Sequence, residues 1–300
     1  MSDRPTLTAI VGPTAVGKTA LAVALAQRIG GEIVSADSRQ IYRLMDIGTA
    51  KPTPAERAAA PHHLIDIRDP DEPFSLAEYQ QLATEAIAGI VARGRAPLLV
   101  GGTGQYLAAV LEGWQVPAVA PQPELRAALE AEAAAAGPAA LHARLAAVDP
   151  QAAAQIDPRN VRRVVRALEV QIVTGRPISE QQRRTPPPYA IRTIWLTRPR
   201  DELYARADAR VDAMLAAGLV DEVAELRRRG YAWELPAMSS LGYIQLRPYL
   251  EGTASLAECV ERLKFDTHSF IRRQGAWFKR LPQLEIWTPD HPLWRELAPD

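Results

Sequence analysis

Gly12-Pro13-Thr14-Ala15-Val16-Gly17-Lys18-Thr19 has the spacing G-x-x-x-x-G-K-T, and its residue types suit one task, holding a chain of phosphates. The glycines let successive backbone N–H groups turn toward phosphate oxygens. Lys18 adds a mobile positive charge, and Thr19 offers a hydroxyl to Mg²⁺. A diphosphate or longer, free or within a nucleotide, is the expected ligand. The motif leaves open whether the phosphates are transferred, hydrolysed or discarded. Asp37 closes the stretch "EIVSAD" and reads either as a turn or helix cap or as a general base. Thr103, in "GGTGQY", reads as a helix cap or as a ligand contact. "PLLV" runs into Gly-Gly-Thr-Gly with no carboxylate at its end, so the metal-binding Asp of an ATPase-type site is not evident there. The adjacent His62 and His63 point in different directions and are not expected to ligate a metal.

These residues need a scaffold, and the pattern around them supplies one. "LTAIV" reads as a buried strand, the Gly-rich stretch as a turn and "KTALAVALAQRI" as a helix. "EIVSAD" and "APLLV" add two strands, the second preceded by the helical "SLAEYQQLATEAIAGIVARG". Strands alternating with helices imply an α/β fold whose core is a parallel sheet flanked by helices, as in P-loop NTPases. In such sheets ligands sit at the C-terminal strand ends, which is where the phosphate loop, Asp37 and Thr103 fall. After Gly113 the proline-punctuated "WQVPAVAPQP" leads into Ala-rich helical sequence, and "TPPPY" closes it at 185–189. The expected organisation is a core of residues 1–113 and 191–300 with a helical insertion at 114–190. "IRTIWLT" reads as a return to the sheet and "LEIWT" as a last strand.

The 300 residues, 47% hydrophobic and 23% charged, are enough for a full core plus an insertion. The single cysteine, Cys259, excludes an internal disulfide framework and reads as a small core residue. Neither a signal pattern at Met1–Pro5 nor an apolar run long enough to span a bilayer is present, so a cytoplasmic protein without a membrane partner is expected. The net charge is zero, but residues 159–200 hold ten arginines against Glu169 and Glu180 alone, a local charge of +8. Helical spacing places Val161, Val164, Val165, Leu168 and Ile172 on one stripe and Arg162, Arg163 and Arg166 opposite, so these arginines are expected to face solvent. "RRQGAWFKR" adds Arg272, Arg273, Lys279 and Arg280 around Trp277, a mixture suited to a nucleic-acid backbone and its bases.

Taken together, "GPTAVGKT", "SADSRQIY" with "MDIGTAKP", "PHHLIDI", "LLVGGTGQYL", "RRVVRALEV", "RADARVDAMLAAGLVDEV" and "RRQGAWFK" resemble, in order and spacing, the bacterial tRNA dimethylallyltransferases. The resemblance spans nearly the whole chain. It implies transfer of the dimethylallyl group of dimethylallyl diphosphate to N6 of adenosine 37 in the tRNA anticodon stem-loop, with Mg²⁺, by a monomer. The phosphates would then be a leaving group. The resemblance implies that Lys18, Thr19 and the rest of the loop hold the diphosphate, that Asp37 is the base on N6, that Thr103 helps place the adenine, and that Arg210 aids diphosphate binding. It further implies tRNA contacts at Asp37, Ser38, Arg39, Gln40, Thr103, Arg126, Arg162, Arg163, Val164, Val165, Arg166, Gly242, Tyr243, Arg272, Arg273, Gln274, Trp277 and Lys279. The chain departs from the family pattern at Gln105, at Ala276 and around Gly242 and Tyr243. Two other readings compete. A P-loop kinase would use Asp37 on an acceptor hydroxyl, and a non-catalytic RNA-binding module would use the loop only as an anion site.

Overall fold

The computed structural model describes residues 4–281 and 283–298; the first three residues, Pro282 and the last two lie outside them. Six strands form one sheet in the order β3-β2-β4-β1-β5-β6, all neighbours parallel. They are β1 (Thr6–Val11), β2 (Gly31–Ala36), β3 (His62–His63), β4 (Ala96–Gly101), β5 (Ala190–Leu196) and β6 (Leu284–Trp287).

β1 lies in the middle and is covered on both sides, as a parallel strand between helices must be. Leu7, Ala9 and Val11 pack against Tyr79, Ala83, Ile87 and Ile90 of α3 (Leu76–Ala92) and Leu107 of α4 (Gly104–Leu111). Ile10 points to the opposite face, against Leu21, Ala22 and Ala26 of α1 (Lys18–Ile29). Burial of each such Leu or Ile side chain contributes about 1.5–3 kcal/mol. Helix starts are written in the sequence. Thr53–Glu56 opens α2 (Pro54–Ala59), Ser75–Glu78 opens α3 and Ser255–Glu258 opens α13 (Leu256–Phe278), each as a reciprocal capping box.

The chain divides into two compact units. The second, Glu112–Pro186, is inserted between Leu111 and Pro187 of the first. The crossings fall slightly earlier than 114 and 190 because Gly113 O accepts the Thr185 N–H at 2.8 Å and Gln115 N–H bonds Arg183 O at 2.7 Å, while Tyr189 is already buried in the sheet core. Inside the insertion are α5 (Pro123–Ala136), α6 (Pro138–Val148), α7 (Pro150–Gln155), α8 (Val161–Thr174) and α9 (Ile178–Gln181) around their own apolar core. The Ala-rich tract is not one helix; it breaks at Gly137-Pro138, proline being suited to a first helical turn.

The remaining helices of the first unit are α10 (Arg200–Ala216), α11 (Leu219–Arg228), α12 (Arg247–Leu250), the long α13 and α14 (Pro292–Leu297). α11 and α13 share a third apolar cluster with Ile41, Met45 and the buried Cys259. Among the described residues no helix is long and apolar enough to cross a membrane.

Candidate functional site

Register brings the chemistry together. Val11 pairs with Gly101 and Gly101 with Ala36, so the last residues of β1, β4 and β2 lie side by side. Adjacent strands are about 4.8 Å apart. The residues that follow, Gly12, Gly102 and Asp37, therefore leave the sheet along one edge.

The phosphate loop is braced from below. Buried Arg198, at the end of β5, donates to Val16 O at 3.2 Å, and Arg206 of α10 donates to Ala15 O at 3.1 Å. Two loop carbonyls are thus held by arginines, while Thr14 N–H is taken by Gln274 Oε1 at 2.9 Å and Val16 N–H by Pro13 O at 3.4 Å. Ala15 holds φ 65°, a conformation L-residues seldom adopt and one that such bracing stabilises. Lys18 Nζ donates to Gly12 O and Pro13 O, both at 2.9 Å, and so reaches across the loop. Burial and the Arg210 guanidinium lower the Lys18 pKa to about 8, against the Asp37 carboxylate, which raises it.

Arg210, on α10, is the third charge. Burial lowers its pKa while Asp37 raises it, and it has no hydrogen-bond or ion-pair partner among the described residues. Lys18, Thr19, Asp37, Gln40 and His62 line a small cleft, open at its mouth. A larger concavity near Asp157–Arg162 in the insertion is shallow, and its one carboxylate, Asp157, is already paired with Arg159 at 2.7 Å.

Asp37 Oδ1 accepts the Arg39 N–H at 2.8 Å, so one oxygen makes the turn that sequence reading allowed. Oδ2 has no partner among the described residues. Thr103 does not cap its own helix with its hydroxyl. Its Oγ1 accepts the Ser38 N–H at 3.0 Å and bonds Ser38 Oγ at 3.3 Å, tying the turn after β4 to the turn after β2. Gln40 Nε2 donates to Thr49 O and Ala50 O, and its Oε1 accepts from Ser35 Oγ at 3.2 Å.

Several residues expected to grip tRNA are otherwise engaged. Tyr243 is fully buried and donates to Glu222 Oε1 at 2.7 Å, and Gly242 beside it is buried too. Gln274 is 6% exposed and faces the phosphate loop, not solvent. Arg39 reaches Pro236 O and Ser239 Oγ. Trp277 is half-buried, its ring against Gly104, where any Cβ would collide with it. Arg272, Arg273 and Lys279 are exposed; Arg272 bonds Tyr204 Oη and Ser269 Oγ.

In the insertion the side chains of Val164 and Val165 lie in the core and not on the surface. Ile172, expected on their stripe, is 42% exposed because burial on α8 ends at Val170. Arg166 does not simply face solvent. It donates to Glu169 Oε2 at 2.8 Å and to Val119 O and Pro117 O, while Arg126 grips the same carboxylate with two bonds at 2.7 and 2.8 Å. Glu169 is wholly buried. Burial alone would raise its pKa, yet the hydrogen bonds from Arg126, Gln122 and Arg166 lower it to about 2. The guanidinium groups of Arg162 and Arg163 remain exposed and without partners among the described residues. Sequence reasoning missed Arg198, Arg206, Glu169 and Glu222 as organisers. Their roles depend on contacts across more than a hundred residues or inside a helical core, and only the isolated acid of "RRVVRALEV" hinted at one of them.

The comparisons with known proteins agree with one another. The family model described as IPP transferase matches residues 40–281. A tRNA dimethylallyltransferase of Chloroflexus aurantiacus is 75% identical over 97% of this chain and 99% of its own length. A tRNA dimethylallyltransferase of Thermomicrobium roseum is 52% identical over 99% of this chain and 90% of its own length. Among solved structures, the full-length tRNA isopentenylpyrophosphate transferase of Bacillus halodurans is 44% identical with a TM-score of 0.71, covering 95% of this chain and 90% of that one. A eukaryotic dimethylallyltransferase acting on tRNA is 28% identical with a TM-score of 0.84, covering 98% and 76%.

Proposed function

Because this chain belongs to the IPP transferase family, we propose that it moves the dimethylallyl group of dimethylallyl diphosphate onto N6 of adenosine 37 of tRNA and releases diphosphate. The observation that carries this reading is the in-register strand edge that sets the phosphate loop beside Asp37, whose Oδ2 has no partner among the described residues, with Lys18 and the buried Arg210 of α10 both in the field of that carboxylate. The loop N–H groups, Lys18 and Arg210 bind the diphosphate and stabilise the charge that grows on it as the C–O bond breaks. N6 attacks the freed carbon, and its proton passes to Asp37 Oδ2 while Oδ1 stays anchored on Arg39 N–H. Adenosine 37 has to leave its stack to reach this edge. Thr103 and Ser38, bonded to each other, would place the adenine.

The donor set at the loop suits Mg²⁺. Thr19 supplies a hydroxyl beside Lys18 and Asp37, and the bound diphosphate would supply further oxygens. Mg²⁺ held there would neutralise part of the leaving charge. Exposed Arg162 and Arg163 of the insertion and Arg272, Arg273 and Lys279 of α13 would meet tRNA phosphates, and the protein would act as a cytoplasmic monomer. Incubation with unmodified tRNA and dimethylallyl diphosphate labelled in its carbon chain, with no ATP, should place label on adenosine 37. Unlabelled RNA, or activity only with ATP, would sink the reading in favour of a kinase or a binding module.

A further inference from the structure

Gln274 sits in the basic run of α13, between the exposed Arg273 and the half-buried Trp277, yet its side chain turns inward. Its Oε1 accepts the Thr14 N–H at 2.9 Å and meets Thr14 Oγ1 at 3.3 Å, while its Nε2 donates to Gly102 O at 3.1 Å. Thr14 belongs to the phosphate loop, and Gly102 adjoins Thr103 in the turn after β4. One buried amide thus joins the loop that would hold the donor to the turn that would place the acceptor. The hydrogen bonds fix which way the amide points, since only its oxygen can accept from Thr14 N–H and only its nitrogen can donate to Gly102 O. A Cβ at Gly102 would collide with Nε2, so glycine there leaves room for the approach.

We propose that Gln274 is a positioning residue that sets the phosphate loop and the Gly102–Thr103 turn in one register, and is not a tRNA contact. Glutamate in its place keeps the acceptor for Thr14 but puts a carboxylate against the Gly102 carbonyl; methionine keeps the length and forgoes both bonds. A spacing error of about 1 Å between reacting groups can cost on the order of 10²-fold in rate. The role rests on the proposed prenyl transfer.

The test uses the full-length protein and its Gln274→Met and Gln274→Glu variants. It measures kcat with both substrates saturating, tRNA Kd without donor, dimethylallyl diphosphate Kd without tRNA, and thermal unfolding. Both variants should lose kcat, by on the order of 10²-fold for methionine, and bind the donor more weakly, while tRNA Kd stays within about twofold of the parent. Should the methionine variant fail to fold, the glutamate variant decides by the same readouts. A weakened tRNA Kd with kcat retained would overturn the proposal and return Gln274 to the tRNA-gripping surface. So would unchanged kcat in a folded variant. An inactive parent protein would instead refute prenyl transfer itself, which separates the two failures.

Discussion

Lys18 carries a conditional charge. With its pKa lowered to about 8 by burial and by Arg210, the ammonium is nearly full only about a pH unit below that value, half present at it and lost as pH rises through it, well before an ordinary lysine at 10.5. Donor affinity should therefore fall between about pH 7.5 and 9, and binding in that window should take up a proton, because the arriving anion favours the charged form. Titration calorimetry in buffers of different ionisation enthalpy measures that uptake. Lys18→Arg, which cannot lose its proton in this range, should abolish the pH dependence. Asp37 is the other decisive residue. Asp37→Asn keeps the acceptor for Arg39 N–H but removes the base, so kcat should drop about 10²–10⁴-fold with tRNA affinity nearly unchanged. Near-normal turnover would reduce Asp37 to the turn-former that Oδ1 already is.

At the scale of the element, α8 separates binding from stability along one helix. Its buried face was legible in the valine and leucine spacing, whereas its start, where Asn160 caps it by accepting the Arg163 N–H, was not read. The inward pull of Arg166 was not legible, because it depends on a glutamate one turn on and on Arg126 from another helix. Arg162→Gln with Arg163→Gln should weaken tRNA binding and flatten its log–log salt slope by about 0.7–0.9 for each phosphate no longer neutralised, leaving unfolding unchanged. Glu169→Gln should do the reverse, costing about 3 kcal/mol of stability because two guanidinium groups are deprived of their buried partner. Since the Glu169 pKa is lowered, its contribution is full above the ordinary carboxylate range and fades as pH falls toward 2. Parallel thermal melts and filter-binding curves separate the two effects, and equal weakening of tRNA affinity in both variants would erase the distinction.

Across the whole molecule, zero net charge conceals extensive pairing. Of the ten arginines in residues 159–200, Arg159, Arg166, Arg176, Arg184, Arg192 and Arg198 are ion-paired; Glu169 and Glu180 are already counted in the +8, and Asp157, Glu112, Glu285 and Glu202, outside the segment, offset half of it. The total salt slope for tRNA should accordingly fall well short of what ten neutralised phosphates at about 0.7–0.9 each would give. The strand-loop-helix beginning, the parallel sheet and the placement of Gly12–Thr19, Asp37 and Thr103 at strand ends could all be read from local pattern. The register that aligns Val11, Gly101 and Ala36, and the arginines that brace the loop, could not, because they are fixed by tertiary packing. The central claim is that the phosphates leave and the carbon chain stays, and a double-label single turnover measures this directly. Dimethylallyl diphosphate carrying ¹⁴C in its carbon chain and ³²P in its diphosphate is mixed with excess protein and unmodified tRNA. ¹⁴C should appear in the RNA, on adenosine 37, matched mole for mole by free ³²P-diphosphate; ³²P in the RNA, or diphosphate release without ¹⁴C transfer, would contradict the claim.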